Sequence, residues 1–336
     1  MTNSHPVPPN ETAELPEPTV GGRQKLIDFA RRALMVLVFA AAAYFIVVNW
    51  PQVQETVFSL HWWQLVLSLL ALIPGVLLGM MMWRVVMVGI LRSRHLSPEG
   101  KSLNQIYLVG QIGKYLPGSV WAFVLQMELG RKNGLARAQV FVASLISTGV
   151  TVGASLVVGA MALPLIITQQ PSLQWLYIVL PFVLLAMNPH IVTFLVNVVL
   201  KALRRPPLPE RIRASTMLQA FGLGVAMYCF FGLHLWILVG HETALTIGNL
   251  MLLTGALSLG MTAGVLAFLL PAGVGAREFV LYLALAGLMT AGAATAIAAL
   301  SRIMFTVADL LCVGVAFIHL RKTAKAEKAN RITKDD

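Results

Sequence analysis

Three of the 25 Lys and Arg residues stand apart from the others, inside or beside long apolar stretches: Lys114, Arg277 and Arg302. Three acids share that setting: Glu128, Glu278 and Asp309. A charge at hydrocarbon depth is expensive, so each such residue marks a functional position by default. The chemistry open to this set is electrostatic. A cation beside a helix start holds an anionic oxygen, and a carboxylate takes an amine, a hydroxyl or a proton.

Lys114 precedes Leu116-Pro117-Gly118. It either holds an anionic headgroup, or snorkels to an interface or pairs with an acid. Arg277 and Glu278 follow Leu270-Pro271-Ala272-Gly273-Val274-Gly275, at the start of the next helix. Backbone donors at a helix N-terminus favour an anion, and Arg277 adds a bidentate fork for phosphate. Glu278 accepts a headgroup amine or hydroxyl, or carries a proton; the competing reading is an ion pair with Arg302. Arg302 and Asp309, seven residues apart, share one helical face about two turns apart and point into the bundle. They serve there as structural partners or as substrate contacts. Glu128, beside Arg131 and Lys132, reads as half of a surface ion pair. The candidate substrate-binding set is therefore Arg277, Glu278, Arg302, Lys114 and Asp309.

No catalytic residue emerges. There is no G-x-S-x-G elbow and no P-loop, and Gly273-x-Gly275 lacks the strand context of a nucleotide fingerprint. Movement of a substrate would therefore use an ion gradient, run downhill, or draw on a partner. The seven histidines show no metal spacing, and His234 reads as a helix-packing residue. No metal site or cofactor is implied. Cys229 and Cys312 lie inside apolar spans and form no C-x-x-C pair.

These side chains need elements to hold them, and apolar length supplies those elements. A crossing helix takes about 20 apolar residues. Full crossings are expected near 31–50, 62–84, 138–168, 173–200, 217–239 and 291–319. Two further apolar segments are broken. Segment 102–130 is interrupted at Pro117 and Gly118, and segment 248–289 at Pro271, Gly273 and Gly275. Pro removes a backbone donor and Gly permits a tight reversal. Asn188-Pro189-His190 marks a kink in the fourth span. Trp50, Trp62, Trp63 and Trp175 fall near expected membrane interfaces, where they anchor.

Charge orients this map. Of the 25 basic residues, 22 lie in loops or tails around residues 23–32, 84–101, 131–137, 201–213 and 321–334. The stretches 51–61, 169–172 and 240–247 contain none. The positive-inside bias places the first group in the cytoplasm, with both termini. Segment 102–130 must then return to the side it left, as a re-entrant helical hairpin with its tip at Pro117 and Gly118. The second hairpin enters from outside with its tip at Pro271 to Gly275; a pair of full crossings is the alternative there.

Both broken segments carry Leu-Pro before Gly, then an apolar helix, a Gly-containing turn and a long Ala-rich span. Two like units of opposite membrane parity form an inverted repeat, a common transporter architecture. Irregular backbone at membrane depth persists only when buried in protein or lining a wet cavity. The expected fold is an all-α integral membrane protein. It has about six transmembrane helices plus two re-entrant hairpins, or up to eight spans. Residues 1–22 read as a disordered cytoplasmic tail, 23–320 as a single polytopic domain, and 321–336 as a basic tail. The run 33–48 reads as an uncleaved anchor.

Composition agrees. Of 336 residues, 57% are hydrophobic and 12% charged, against about 25% charged in soluble domains. The net charge of +11 belongs to the loops. Without a folded basic domain or RNA-binding motif, nucleic acid is not an expected partner.

Two motifs carry a resemblance. Gly113-Lys114-Tyr115-Leu116-Pro117-Gly118-Ser119-Val120-Trp121, followed by Gly130 to Gly134, resembles the first signature of the flippase-like membrane family that includes the membrane region of lysylphosphatidylglycerol synthases. Pro271-Ala272-Gly273-Val274-Gly275-Ala276-Arg277-Glu278, then Ala299-Leu300-Ser301-Arg302, resembles its second. The resemblance covers roughly residues 25–320. It implies a plasma (inner) membrane protein that moves or handles a phospholipid or lipid-linked intermediate, with Arg277, Glu278 and Arg302 at the family's charged positions. Many relatives carry an acid or Arg after the first Pro-Gly, where this chain has Ser119, Val120 and Trp121; that departure weighs against an aminoacyl-phospholipid. The soluble aminoacyl-transferring domain is not in this sequence. The alternatives are a membrane-embedded lipid or glycosyl transferase using Glu278, and a non-catalytic scaffold for an envelope-synthesis partner or a homo-oligomer.

Overall fold

The computed structural model describes residues 47, 50–97, 102–115, 120–162, 181, 185, 188–202, 207, 212–240, 244, 246–267 and 275–335. Every regular element among them is helical. The elements are α1 (Trp50–Ser59), α2 (Trp62–Ser93), α3 (Leu103–Gly110), a 3₁₀ turn (Gln111–Tyr115), α4 (Trp121–Lys132) and α5 (Arg137–Gly159). These are followed by a 3₁₀ turn (Ala160–Ala162), α6 (Pro189–Ala202), α7 (Ala214–Val239), α8 (Ile247–Leu266), α9 (Ala276–Leu285) and α10 (Ala291–Asp335).

Five of these helices are long and apolar enough to cross a membrane: Trp62–Ser93, Arg137–Ala162, Ala214–Val239, Ile247–Leu266 and Ala291–Ile318. They mark a membrane-embedded protein. Between 44% and 56% of each apolar window is buried inside the protein, which leaves a large share for lipid and for the cavity described below. Lipid tails are as apolar as Leu, so burial alone does not drive these helices together. Close van der Waals approach and interhelical hydrogen bonds do. On α10 the face that packs inward is built from Ala293, Ala294, Ala298 and Ala308, all nearly inaccessible. Their small side chains let neighbouring backbones come close.

Polar ties fix the arrangement. Ser68 of α2 lies 2.5 Å from His234 Nδ1 of α7, and His234 Nε2 lies 3.0 Å from Ser301 Oγ of α10. All three residues are fully buried, so His234 is a satisfied packing residue joining three helices. Ser155 of α5 donates to the Ser258 carbonyl of α8 (2.6 Å), and Thr262 donates to Ser155 (2.7 Å). Trp83 Nε1–H donates to Ser144 (2.9 Å), which donates in turn to Gln126 Oε1 (2.5 Å). That relay holds α4 against α2 and α5.

Several expectations need correction. The stretch 51–61, read as a loop, is mostly the helix α1. Span 62–84 continues to Ser93 because no breaker follows Trp83, so Arg84 and Arg92 lie on the helix and not after it. The expected kink at Asn188-Pro189-His190 is described from its C-terminal side, since residues 186 and 187 lie outside the described residues. The α6 helix starts at Pro189, and Asn188 Oδ1 accepts from the His190 N–H (2.9 Å). Pro at a first helical position loses no helical hydrogen bond. The basic tail beyond 320, for which the sequence carried no expectation of secondary structure, is helical to Asp335 as an extension of α10. The anchor near 31–48, the tail 1–22, Trp175 and most of 163–187 lie outside the described residues.

The two broken segments differ from each other. In the first, α3, the 3₁₀ turn and α4 contain 8, 5 and 12 residues. No arm much exceeds about 20 Å, short of the roughly 30 Å hydrocarbon core. In the second, α8 has 20 residues and is of crossing length, whereas α9 has 10 and spans about 15 Å. The second segment thus pairs one arm of crossing length with one short arm, between the re-entrant hairpin and the pair of full crossings that its sequence left open. The breaks themselves, Pro117 and Gly118 in one and Pro271 and Gly273 in the other, lie outside the described residues, and the residues on either side are placed.

Candidate functional site

The 3₁₀ turn after α3 tightens the backbone and directs two side chains toward α10. Tyr115 OH donates to Asp309 Oδ2 (2.5 Å), and Lys114 Nζ lies 2.6 Å from the same oxygen. Gly113 makes this possible. A Cβ there would lie 2.6 Å from the backbone of Trp121 and Ala122, so only glycine lets α4 close against the turn.

On the other side, α9 is capped by Gly275, whose φ of 89° is a conformation that side chains resist. The N–H of Gly275 donates to Glu278 Oε2 (2.7 Å), the return half of a capping box. The other oxygen of Glu278 accepts from Arg302 Nη1 of α10 (2.6 Å). Glu278 is therefore held at both ends. Arg277 turns inward and is 8% exposed. Its guanidinium carbon sits 4.1 Å from the Phe305 ring centroid, a cation–π contact. Its Nη2 is buried and finds no hydrogen-bond partner among the described residues.

These groups line one cavity of about 420 Å³. From the first broken segment come Gln111, Lys114, Tyr115, Val120 and Phe123. The second contributes Met261, Gly264, Val265 and Arg277, and α5 adds Thr148. The floor is one face of α10: Arg302, Phe305, Thr306 and Asp309. Residues flanking both breaks therefore meet at a single site. Two of its three cations are matched, Lys114 by Asp309 and Arg302 by Glu278. Arg277 is left as the local positive excess, with an unused donor. Val120 and Val265 on the apolar side are 62% and 40% exposed, so the cavity borders a surface that lipid would occupy.

Of the candidate residues, Arg277, Arg302, Lys114 and Asp309 line the cavity, and Glu278 supports it through Arg302. Asp309 does not pair with Arg302 on its own helix; its described partners are Lys114 and Tyr115. Glu128 is where a surface role would put it, bound to Arg131 Nη2 (2.6 Å) and Arg137 Nη2 (2.8 Å). Those two guanidinium groups, Arg131 foremost, hold its carboxyl down at about 2. Sequence reasoning missed Tyr115, Phe305 and Thr306. The last two were findable, since 302, 305, 306 and 309 form one helical stripe. Among the described residues, no group of three or more His, Cys, Asp or Glu is placed to hold a metal ion.

No protein-family model matches the chain, and no curated protein matches it.

Proposed function

We propose that the protein moves a lipid with an anionic headgroup, a phospholipid or a lipid-linked intermediate, between the leaflets of the plasma (inner) membrane. The observation that carries this reading is the buried, unpartnered Nη2 of Arg277 in a cavity whose other edge is apolar and outward-facing. An amphiphile fits that combination. Its headgroup oxygens take the unused donor, and its tails stay in lipid beside Val120 and Val265. A small soluble anion would have no use for the apolar side.

The rest of the architecture supports the same reading. Each half runs broken segment, short helix, turn, long helix: α3 to α5, then α8 to α10. With both termini cytoplasmic, as the basic loops imply, these halves form an inverted repeat around the cavity. The motifs around Lys114 and Arg277 that resemble the flippase-like family flank that cavity. A transferase reading is weaker, because it needs Glu278 as an acid or base and both of its oxygens are already engaged.

The test is leaflet exchange in proteoliposomes, followed with fluorescent phosphatidylglycerol. Wild type is expected to exceed protein-free liposomes, and Arg277→Ala to lose at least tenfold of that excess. Equal rates for wild type, the variant and empty liposomes would overturn the proposal.

A further inference from the structure

The cavity and its wall hold three cations and two carboxylates, and their pairing leaves a remainder. Lys114 Nζ lies 2.6 Å from Asp309, and Arg302 Nη1 lies 2.6 Å from Glu278. Arg277 has no carboxylate partner among the described residues; it rests on the Phe305 ring with its Nη2 unbonded. The neighbouring stretches outside the described residues, 116–119 and 268–274, contain no charged side chain that could change this. The site therefore carries one surplus positive charge. Arg277 is buried, so water screens that charge poorly.

An uncompensated charge in a dehydrated site is costly, and so is an excess of the opposite sign. The favoured occupant brings the sum to zero. A phosphodiester carries one negative charge shared by two free oxygens, which matches Arg277 alone. A phosphomonoester carries about 1.5 to 2 charges at neutral pH, and a diphosphate at least as many. Either leaves a negative excess unless one of the two ion pairs opens. A zwitterionic headgroup brings no net charge, and it brings an ammonium. That ammonium would meet three cations, and both carboxylates already hold one. Glu278 has each oxygen engaged, and Asp309 takes Lys114 and Tyr115 on one oxygen. Gln111, Thr148 and Thr306, also in the lining, are neutral. They suit the hydroxyl groups of a glycerol or a sugar, not a second charge.

We propose that the cavity selects phosphodiester headgroups of single negative charge and rejects zwitterionic and diphosphate lipids, with Arg277 as the specificity-determining residue. This rests on the reading of the cavity as an anionic-headgroup site, and narrows it. The chemistry has two sources: a glycerophospholipid with an uncharged headgroup alcohol, and a prenyl-phosphoryl sugar. Specificity is a difference of affinities. Here the two closed ion pairs supply the rejection, and Arg277 supplies the attraction.

The experiment is calorimetric binding to the full chain in detergent at neutral pH, with two tail-matched pairs of lipids. One pair is dihexanoyl phosphatidylglycerol and dihexanoyl phosphatidylethanolamine. The other is farnesyl phosphoryl glucose and farnesyl diphosphate. Each phosphodiester that wild type binds is expected to exceed its partner by about tenfold or more, and the tighter of the two phosphodiesters names the source. Arg277→Gln removes the surplus charge and is expected to erase that advantage. Glu278→Gln keeps an oxygen for the Gly275 N–H but frees Arg302 for a second anionic charge. Its preference is expected to move toward farnesyl diphosphate by about tenfold. Lys132→Gln removes an exposed charge outside the cavity and is expected to leave every ratio unchanged. Farnesyl diphosphate bound by wild type as tightly as farnesyl phosphoryl glucose, or ratios that neither Arg277→Gln nor Glu278→Gln moves, overturns the charge selection and leaves the anionic-headgroup site standing. Phosphatidylethanolamine bound as tightly as phosphatidylglycerol, or no binding of any lipid, overturns both. Where a variant does not fold, the wild-type ratios decide.

Discussion

The guanidinium of Arg277 and the ring of Phe305 stack at 4.1 Å, joining the start of α9 to the middle of α10 across the cavity wall. The stack orients the planar fork so that one nitrogen remains unbonded. A cation–π contact contributes about 0.5–2 kcal/mol depending on its desolvation.

Arg277→Lys keeps the charge but loses the fork and most of the stacking. Its exchange rate for labelled phosphatidylglycerol should fall about 5- to 30-fold. Phe305→Leu, which frees the guanidinium to wander, should fall less, by about 2- to 10-fold. Initial rates in proteoliposomes at matched protein density check both. A Lys variant as fast as wild type would show that charge alone matters.

Glu278 and Arg302 should behave as one unit. Each side chain is about a fifth exposed, so their pairing is partly desolvated. Glu278→Gln and Arg302→Gln together should be less damaging than the sum of the single changes. A coupling of about 1–3 kcal/mol is expected from a double-mutant cycle on unfolding in detergent. Strict additivity would mean that the pair does not hold α9 to α10.

His234→Leu fills the space but withdraws the partner of two buried serines. Stability should fall by about 1–3 kcal/mol. Ser301→Ala, which removes one interhelical bond only, should cost less than about 2 kcal/mol. Thermal denaturation in micelles reads both, and the tie between α2, α7 and α10 is refuted by a His234→Leu protein as stable as wild type.

At the rim, Glu128 joins α4 to the first residue of α5 through Arg131 and Arg137. Its folded carboxyl is held at about 2, below the ordinary value of 4.5. The stabilisation is therefore complete above about pH 4.5 and disappears as pH falls toward about 2. Wild type should melt above Glu128→Gln at neutral pH and low salt. The gap should shrink as the solution is acidified, and also in about 1 M salt, where exposed charges are screened.

Gly113→Ala tests the closure of the first broken segment. Backbone, not a movable side chain, stands in the way of the new methyl. A destabilisation of about 1–3 kcal/mol is expected, together with loss of lipid exchange as Lys114 and Tyr115 move off Asp309. An unchanged exchange rate would detach this turn from the site.

The sequence alone determined that the chain is helical and membrane-embedded, where most of the described spans run, and which charges fall inside or beside apolar runs. Those are decided locally. Apolar run length fixes a span, because hydrocarbon forces every backbone bond inside its own helix, and a charge in an apolar run is visible without coordinates. It also placed Arg302 and Asp309 on one face, through the period of the α-helix. What it left undecided was pairing. Asp309 could turn to Arg302 along its own helix, or to Lys114 some two hundred residues earlier. Only the folded chain brings Lys114 to 2.6 Å and gives Glu278 to Arg302. The shortness of the second arm of the second broken segment was likewise visible only in the folded chain, where α9 has 10 residues against the 20 of α8. A charge in lipid must find a partner, but which one depends on helices that meet only in three dimensions. The sequence singled out Arg277, but that it alone of the three cavity cations has no carboxylate partner among the described residues was visible only in the tertiary structure.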